Sequence, residues 1–157
     1  LDIYDDSMWL INLVENILSI SRIEDGRMNL SISTELVSEV FEEALRHTNR
    51  HSGQHTITVQ MDDDLLLAHM DAKLVVQVLI NLVDGPGIPD EAKEKVFEMF
   101  STGEKRISDS RRSLGLGLAL CRTIIAAHGG TITLSDNTPH GCIFTFTLPL
   151  GEVSLHE

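Results

Sequence analysis

Asn81-Leu82-Val83-Asp84-Gly85-Pro86-Gly87-Ile88-Pro89 is the stretch on which the reading of this chain turns. An apolar helical pattern, Leu74, Val78, Leu79 and Leu82 behind a capping Asp71, runs into three helix-breaking residues in a row. Glycine weakens a helix and proline cannot continue one, so the helix ends here. Pro89 suits the first position of a following helix, with Asp90 and Glu91 where the dipole favours negative charge. That helix is predicted to reach Phe100. A second glycine-rich point, Gly115-Leu116-Gly117-Leu118-Ala119-Leu120, opens another helix, predicted from about Leu116 to His128 and stopped by Gly129-Gly130. Glycines at a helix start let phosphates approach free N–H groups and the positive dipole end. Neither point is a P-loop, because no Gly-Lys-Ser/Thr follows. Gly115-x-Gly117 is not a dinucleotide fingerprint either, since the third glycine and the preceding strand are missing. A lone pair of glycines also reads as a tight turn.

The polar segment between these points carries weight of its own. Lys105, Arg106, Arg111 and Arg112 are four of the chain's 12 basic residues, crowded into a few positions. Beside a phosphate-ready helix start, they read as a cationic flap over an anion. The plain alternative is an exposed loop, with Glu104 and Asp109 diluting the charge.

Working outward, residues 3–24 show a helical apolar stripe of Leu10, Leu13, Val14, Ile17, Leu18 and Ile20, stopped at Asp25-Gly26. The stripe needs a partner, either its own domain or a dimer seam. Alternation predicts strands at Met28–Ile32 and Ile57–Met61, and further strands are expected at Leu65–Leu67, Thr131–Leu134 and Ile143–Leu148. A helix is predicted over 35–50, with Ser33 or Thr34 as its cap. Asp62-Asp63-Asp64 reads as a solvated turn in preference to a metal cluster, because three successive turn side chains rarely converge on one ion. The element order lacks strict strand–helix alternation. It predicts an α+β fold, a two-layer sandwich with helices on one face of a mixed sheet.

Composition sets the outer bounds. The 157 residues suit one domain with a short appendage. With 42% hydrophobic residues a packed core forms; with 4% aromatics it is built of Leu, Ile and Val. A formal charge of -12 argues against general nucleic-acid binding, which needs a basic face. No stretch has the length of a membrane span, and no basic-then-apolar leader opens the chain, so a cytoplasmic location is expected. Cys121 and Cys142 are too few for a disulfide scaffold and lack metal-ligand spacing.

Asn81-Leu82-Val83-Asp84, Gly85-Pro86-Gly87-Ile88-Pro89, Val96-Phe97-Glu98-Met99-Phe100, Gly115-Leu116-Gly117-Leu118 and His128-Gly129-Gly130 together resemble the N, G1, F and G2 boxes of sensor histidine kinases. The run from Gly85 to Pro149 is most similar to potassium-responsive, Kdp-type members. The resemblance covers about residues 35–150 and implies the ATP-binding (Bergerat) fold shared with gyrase, Hsp90 and MutL. It divides the chain into part of a dimerisation hairpin (1–26), an ATP-binding domain (27–150) and a loose tail (151–157). It implies ATP and Mg2+ as cofactors, with Asn81 beside the magnesium and phosphates. Gly85 and Gly87 would line the adenine end, Asp84 would be the Asp inside the N box, and Asp84 and Ile88 would belong to the ATP site. Residues 101–114 would be the lid, with Lys105, Arg106, Arg111 and Arg112 as phosphate contacts. Leu114, Gly115, Leu116, Gly117 and Leu118 would present backbone amides to the phosphates. The implied function is transfer of the γ-phosphoryl of Mg-ATP to a histidine outside this chain, and then to a response regulator. Partners would be that regulator and the chain's own hairpin in a homodimer, with no nucleic acid. No residue is assigned as catalytic.

Three departures stand out. The family has more chain between its N and G1 boxes, whereas Asp84 here runs straight into Gly85. A magnesium-ligating Asn, a nearby Lys and a central strand are thereby absent. Either that stretch is missing from the chain as written, or a deletion has left it unable to bind nucleotide. The adenine-reading Asp would stand at Val83. The phosphoacceptor helix is missing, and among the seven histidines only His156 precedes an acid. The fragment is therefore expected not to autophosphorylate. A sheet lacking a central strand would leave backbone groups unpaired. The competing functions are another ATPase or kinase of the same fold and a non-catalytic dimerising module.

Overall fold

A computed structural model describes residues 11, 14, 18, 21, 22, 30–48, 56–84 and 112–151. Seven elements follow in order: β1 (Ser33–Leu36), α1 (Val37–Thr48), β2 (Leu67–Met70), α2 (Ala72–Asp84), α3 (Arg112–Ala127), β3 (Ile132–Asp136) and β4 (Cys142–Phe146). The α+β class holds. The single mixed sheet does not appear among the described residues. Instead there are two antiparallel pairs, β1 with β2 and β3 with β4.

Helix α2 is the centre of the packing. Val75 and Leu79 lie one turn apart and meet Val40 and Ala44 of α1 over Ala68 and Met70 of β2. Val78, on the next face round, meets Leu120, Cys121, Ile124 and Ile125 of α3 over Ile132 of β3. A helix with apolar residues on two faces must be covered on both, which is why α2 sits between α1 and α3. Phe146 and Leu148 border both clusters.

Asp71 starts α2 as expected. Its Oδ1 accepts a long bond from the Leu74 N–H at 3.4 Å, and its Oδ2 accepts from the Ser31 N–H at 3.0 Å. Helix α3 ends in a Schellman motif: the Gly129 N–H donates to Ala126 O and the Gly130 N–H to Ile125 O, both at 3.0 Å. Gly129 has φ +77°, where side chains are strained. Gly130 is required by space, since a Cβ there would lie 1.9 Å from the Thr147 carbonyl oxygen.

Several boundaries differ from the sequence-based expectation. Ser33 and Thr34 pair with β2 as strand β1, so they do not cap α1, which starts at Val37. The third strand runs Leu67–Met70, past the expected Leu65–Leu67. Ile57–Met61 forms no strand. Asp63 closes a side-chain turn onto the Leu65 N–H at 2.9 Å, and no metal-holding group of His, Cys, Asp or Glu exists among the described residues. Of the strand expected at Met28–Ile32, residues 30–32 are described and form no strand, since β1 starts at Ser33; the helix over 89–100 lies outside the described residues. Of the first helix, Ile11, Val14 and Leu18 are described; they are helical, exposed and on one face.

Candidate functional site

The seam between α2 and α3 holds the candidate residues that the structure describes in full. The Cys121 thiol donates to the Val78 carbonyl across the seam at 3.7 Å. One turn along α2 from Val78 stands Asn81; one turn back along α3 from Cys121 stands Gly117. The helices therefore run antiparallel. A Cβ on Gly117 would lie 4.0 Å from both Cγ and Oδ1 of Asn81. Glycine thus leaves open the space directly above the carboxamide.

Asn81 Nδ2 is the buried side-chain polar atom without a hydrogen-bond partner among the described residues. Such a group costs about 1–3 kcal/mol when nothing satisfies it. No bond of ordinary geometry links it to Cys121, yet the carboxamide stands close enough to act on that thiol. Burial pushes Cys121 from 9.0 up to about 12, and the Asn81 carboxamide and the residue's own backbone N–H oppose that rise. The thiol is therefore protonated, fully buried and unreactive at neutral pH.

Helix α3 begins at Arg112, four residues before the expected start. Leucines and alanine around the two glycines are strong helix formers and carry the helix through them. Gly115 then makes the first bond of the helix and Gly117 lies in its second turn, so the N–H groups without intrahelical partners are those up to residue 114. An anion at this end of the helix would meet the space left by the side chain that Gly117 lacks and the free amides up to residue 114. Leu118 is buried. Asp84 closes α2, and Arg112, Leu114, Gly115 and Leu116 are helical in backbone. Gly85, Gly87, Ile88, Lys105, Arg106 and Arg111 lie outside the described residues.

The sequence reading missed one functional support, His128. Its Nε2 accepts from the Asp71 N–H at 3.0 Å and its Nδ1 donates to the Ile124 carbonyl at 2.7 Å. The ring, only 6% exposed, is thereby set in the Nδ1–H tautomer and ties the end of α3 to the start of α2. A histidine placed directly before a Gly-Gly helix stop was the signal. Two surface grooves, about 710 Å³ between α1 and α2 and about 400 Å³ beside β4, contain none of the candidate residues.

A nucleotide fits what this seam offers. An orphaned buried amide needs an acceptor, which a phosphate oxygen supplies, and its Oδ1 is a hard oxygen of the kind Mg2+ takes.

Residues 30–152 match the family described as histidine kinase-, DNA gyrase B- and HSP90-like ATPase. The sensor protein KdpD of Clostridium acetobutylicum is 34% identical, over 94% of this chain and 20% of its own length. The sensor protein KdpD of Escherichia coli is 30% identical, over 87% of this chain and 18% of its own length. The chain thus spans about a fifth of the relatives it matches. Among solved structures, the catalytic domain of the histidine kinase ThkA superposes with TM-score 0.59 and 25% identity, over 76% of this chain and 96% of that one. These alignments also show a shortfall. The Clostridium alignment runs over 177 positions but uses 94% of 157 residues, about 148, so about 29 positions face no residue here. The Escherichia alignment runs over 167 positions and uses 87%, about 137, leaving about 30. By its matched residues, its relatives and its fold, the chain belongs to the histidine kinase-, DNA gyrase B- and HSP90-like ATPase family, with sensor histidine kinases as its relatives.

Proposed function

We propose that this chain is the ATP-binding catalytic part of a two-component sensor kinase located in the cytoplasm. The observation that carries the reading is the buried, partnerless Nδ2 of Asn81 under the side-chain gap at Gly117. Asn81 would hold the phosphates through Nδ2 and Mg2+ through Oδ1, with phosphate oxygens and water completing the metal's shell. Free amides in the first turn of α3 would face the phosphates. Lys105, Arg106, Arg111 and Arg112 would close over them as a cationic lid. Gly85 and Gly87 would border the adenine, with Asp84 and Ile88 completing the ATP site. ATP supplies the phosphoryl group; the protein positions it and neutralises its charge. The acceptor would be a histidine on the kinase's dimerisation hairpin, in a homodimer, and the final recipient an aspartate of a response regulator.

Calorimetric titration of the chain with ATP, with and without Mg2+, tests this. Saturable 1:1 binding that Asn81→Ala weakens at least about tenfold is expected, a loss of about 1.4 kcal/mol. Binding of equal strength in Asn81→Ala would overturn the assignment of Asn81. Absence of saturable binding to the chain would overturn the ATP reading.

A further inference from the structure

One side chain joins the two helices of the seam at the end away from Asn81. His128 follows the last residue of α3, and both of its ring nitrogens are engaged. Nδ1 donates to the Ile124 carbonyl at 2.7 Å, and Nε2 accepts from the Asp71 N–H at 3.0 Å. The Asp71 carboxylate in turn accepts from the Leu74 N–H and from the Ser31 N–H. A chain of hydrogen bonds therefore runs from the backbone of the last turn of α3, through one imidazole, to the backbone of the first turn of α2. The ring is 6% exposed and Ile124 is fully buried, so the bonds lie in a low-dielectric interior that strengthens them. At the other end of the same helix pair, Gly117 leaves its gap above the Asn81 carboxamide. The two ends are about 15 Å apart, the rise of α2 from Asp71 to Asn81.

We propose that His128 is a positioning residue for the Asn81 site: its bond to Asp71 fixes how far α3 lies along α2, and so holds the gap at Gly117 over the Asn81 carboxamide. The consequence for nucleotide affinity rests on the ATP reading; the positioning itself does not. The rest of the seam explains why a directed bond matters. Val78, Leu120, Cys121, Ile124 and Ile125 meet there, with Leu74 and Leu82 against them. Apolar contacts of this kind are non-directional, and a helix that slides a short way along another keeps most of its burial. The Cys121 thiol, midway along, is a weak donor and reaches the Val78 carbonyl only at 3.7 Å. The imidazole supplies a short bond with a fixed direction. A slip of α3 by one residue's rise, about 1.5 Å, would carry the gap off the carboxamide. The buried Nδ2 donor would then have no room beside it for a phosphate oxygen. A neutral histidine suits this place because it donates from one ring nitrogen and accepts at the other, on a rigid frame. Glutamine is the conservative replacement, since its amide also carries a donor and an acceptor.

Two substitutions in the whole chain test this. His128→Leu fills the space without an acceptor, and His128→Gln puts an amide oxygen within reach of the Asp71 N–H. Val40→Ala, a cut into the core on the α1 side of α2, controls for lost stability alone. NMR of the Asn81 side-chain amide reads its position without nucleotide. Its resonances are expected to shift in His128→Leu and to stay at the parent values in His128→Gln and Val40→Ala. Calorimetry with Mg-ATP is expected to show binding at least about tenfold weaker in His128→Leu, and within about threefold of the parent in the other two. An unmoved Asn81 amide in folded His128→Leu would overturn the proposal. An equal shift in Val40→Ala, or no recovery in His128→Gln, would overturn it as well. Parent-like ATP affinity in His128→Leu would overturn the link to the site. The parent chain decides the matter if His128→Leu does not fold. Coupling is reciprocal, so saturating Mg-ATP should slow hydrogen exchange of the Asp71 amide at least about tenfold more than that of the Val37 amide. Val37 bonds to the Leu66 carbonyl at 3.0 Å, outside the seam, and equal slowing at both amides would overturn the proposal. A shifted Asn81 amide in His128→Leu, with no ATP bound by the parent, would support the positioning role and remove the ATP reading.

Discussion

Asn81 and Cys121 face the same seam from two helices, yet one carries an unmet donor and the other is sealed by burial. Asn81 carries a buried donor with no acceptor, a state that costs the free chain stability. Asn81→Leu fills the same space without a polar atom. It is expected to raise unfolding stability by about 1 kcal/mol in urea while removing ATP binding. A loss of stability would show that the amide has a partner in solution. Cys121 is sealed by burial, with its ionisation pushed up to about 12. Alkylation followed by mass spectrometry at pH 8 should modify half-buried Cys142 and spare Cys121 until the chain unfolds. The pH dependence follows the same cause. Between pH 9.0 and about 12 the unfolded thiol has lost its proton and the folded one keeps it. The thiol's contribution is complete below 9.0 and is lost as pH rises toward about 12. Urea melts of the chain and of Cys121→Val over that range should differ by a downward slope present only in the parent.

At the scale of elements, α2 is fixed at its start by groups from elsewhere. Its N-terminus is held by Asp71, whose own N–H is satisfied by His128 from the end of α3. His128→Ala leaves that part-buried N–H without an acceptor. It should cost about 2 kcal/mol, measured by denaturant unfolding. The helix stop of α3 is equally specific. Gly129→Ala forces a side chain into the left-handed region and should cost about 1–2 kcal/mol. Gly130→Ala should cost more, because it meets the Thr147 carbonyl directly. By contrast the exposed Arg46–Glu43 pair, at 2.6 Å on one face of α1, is worth little in water.

Across the whole molecule, two core clusters share α2 and the border residues Phe146 and Leu148. The stretch 149–151 bonds back to β2 and bridges the two sheets. Removing residues 149–157 should therefore lower stability by about 2 kcal/mol, about 1 kcal/mol for each of the two lost backbone bonds. The same change should leave α2–α3 packing, and hence the Cys121 protection, in place. No described helix is long and apolar enough to cross a membrane.

What the sequence determined by itself was local. Periodicity placed α2 behind Asp71, the glycine pair at 129–130 ended α3, and the order of glycine-rich boxes identified the ATPase family. Those signals work because each depends on neighbours within a turn or two of chain. Tertiary structure decided the rest. Ile57–Met61 has the side chains of a strand but forms none, since pairing depends on a second segment and not on alternation. Ser33 and Thr34 look like a helix cap and become β1, because β2 offers them a hydrogen-bonding edge. His128 reads as a helix end and proves to be a latch, through a contact 57 residues away in the chain. The partnerless amide of Asn81 exists only where α2 and α3 close on each other, so no pattern along the chain announces it.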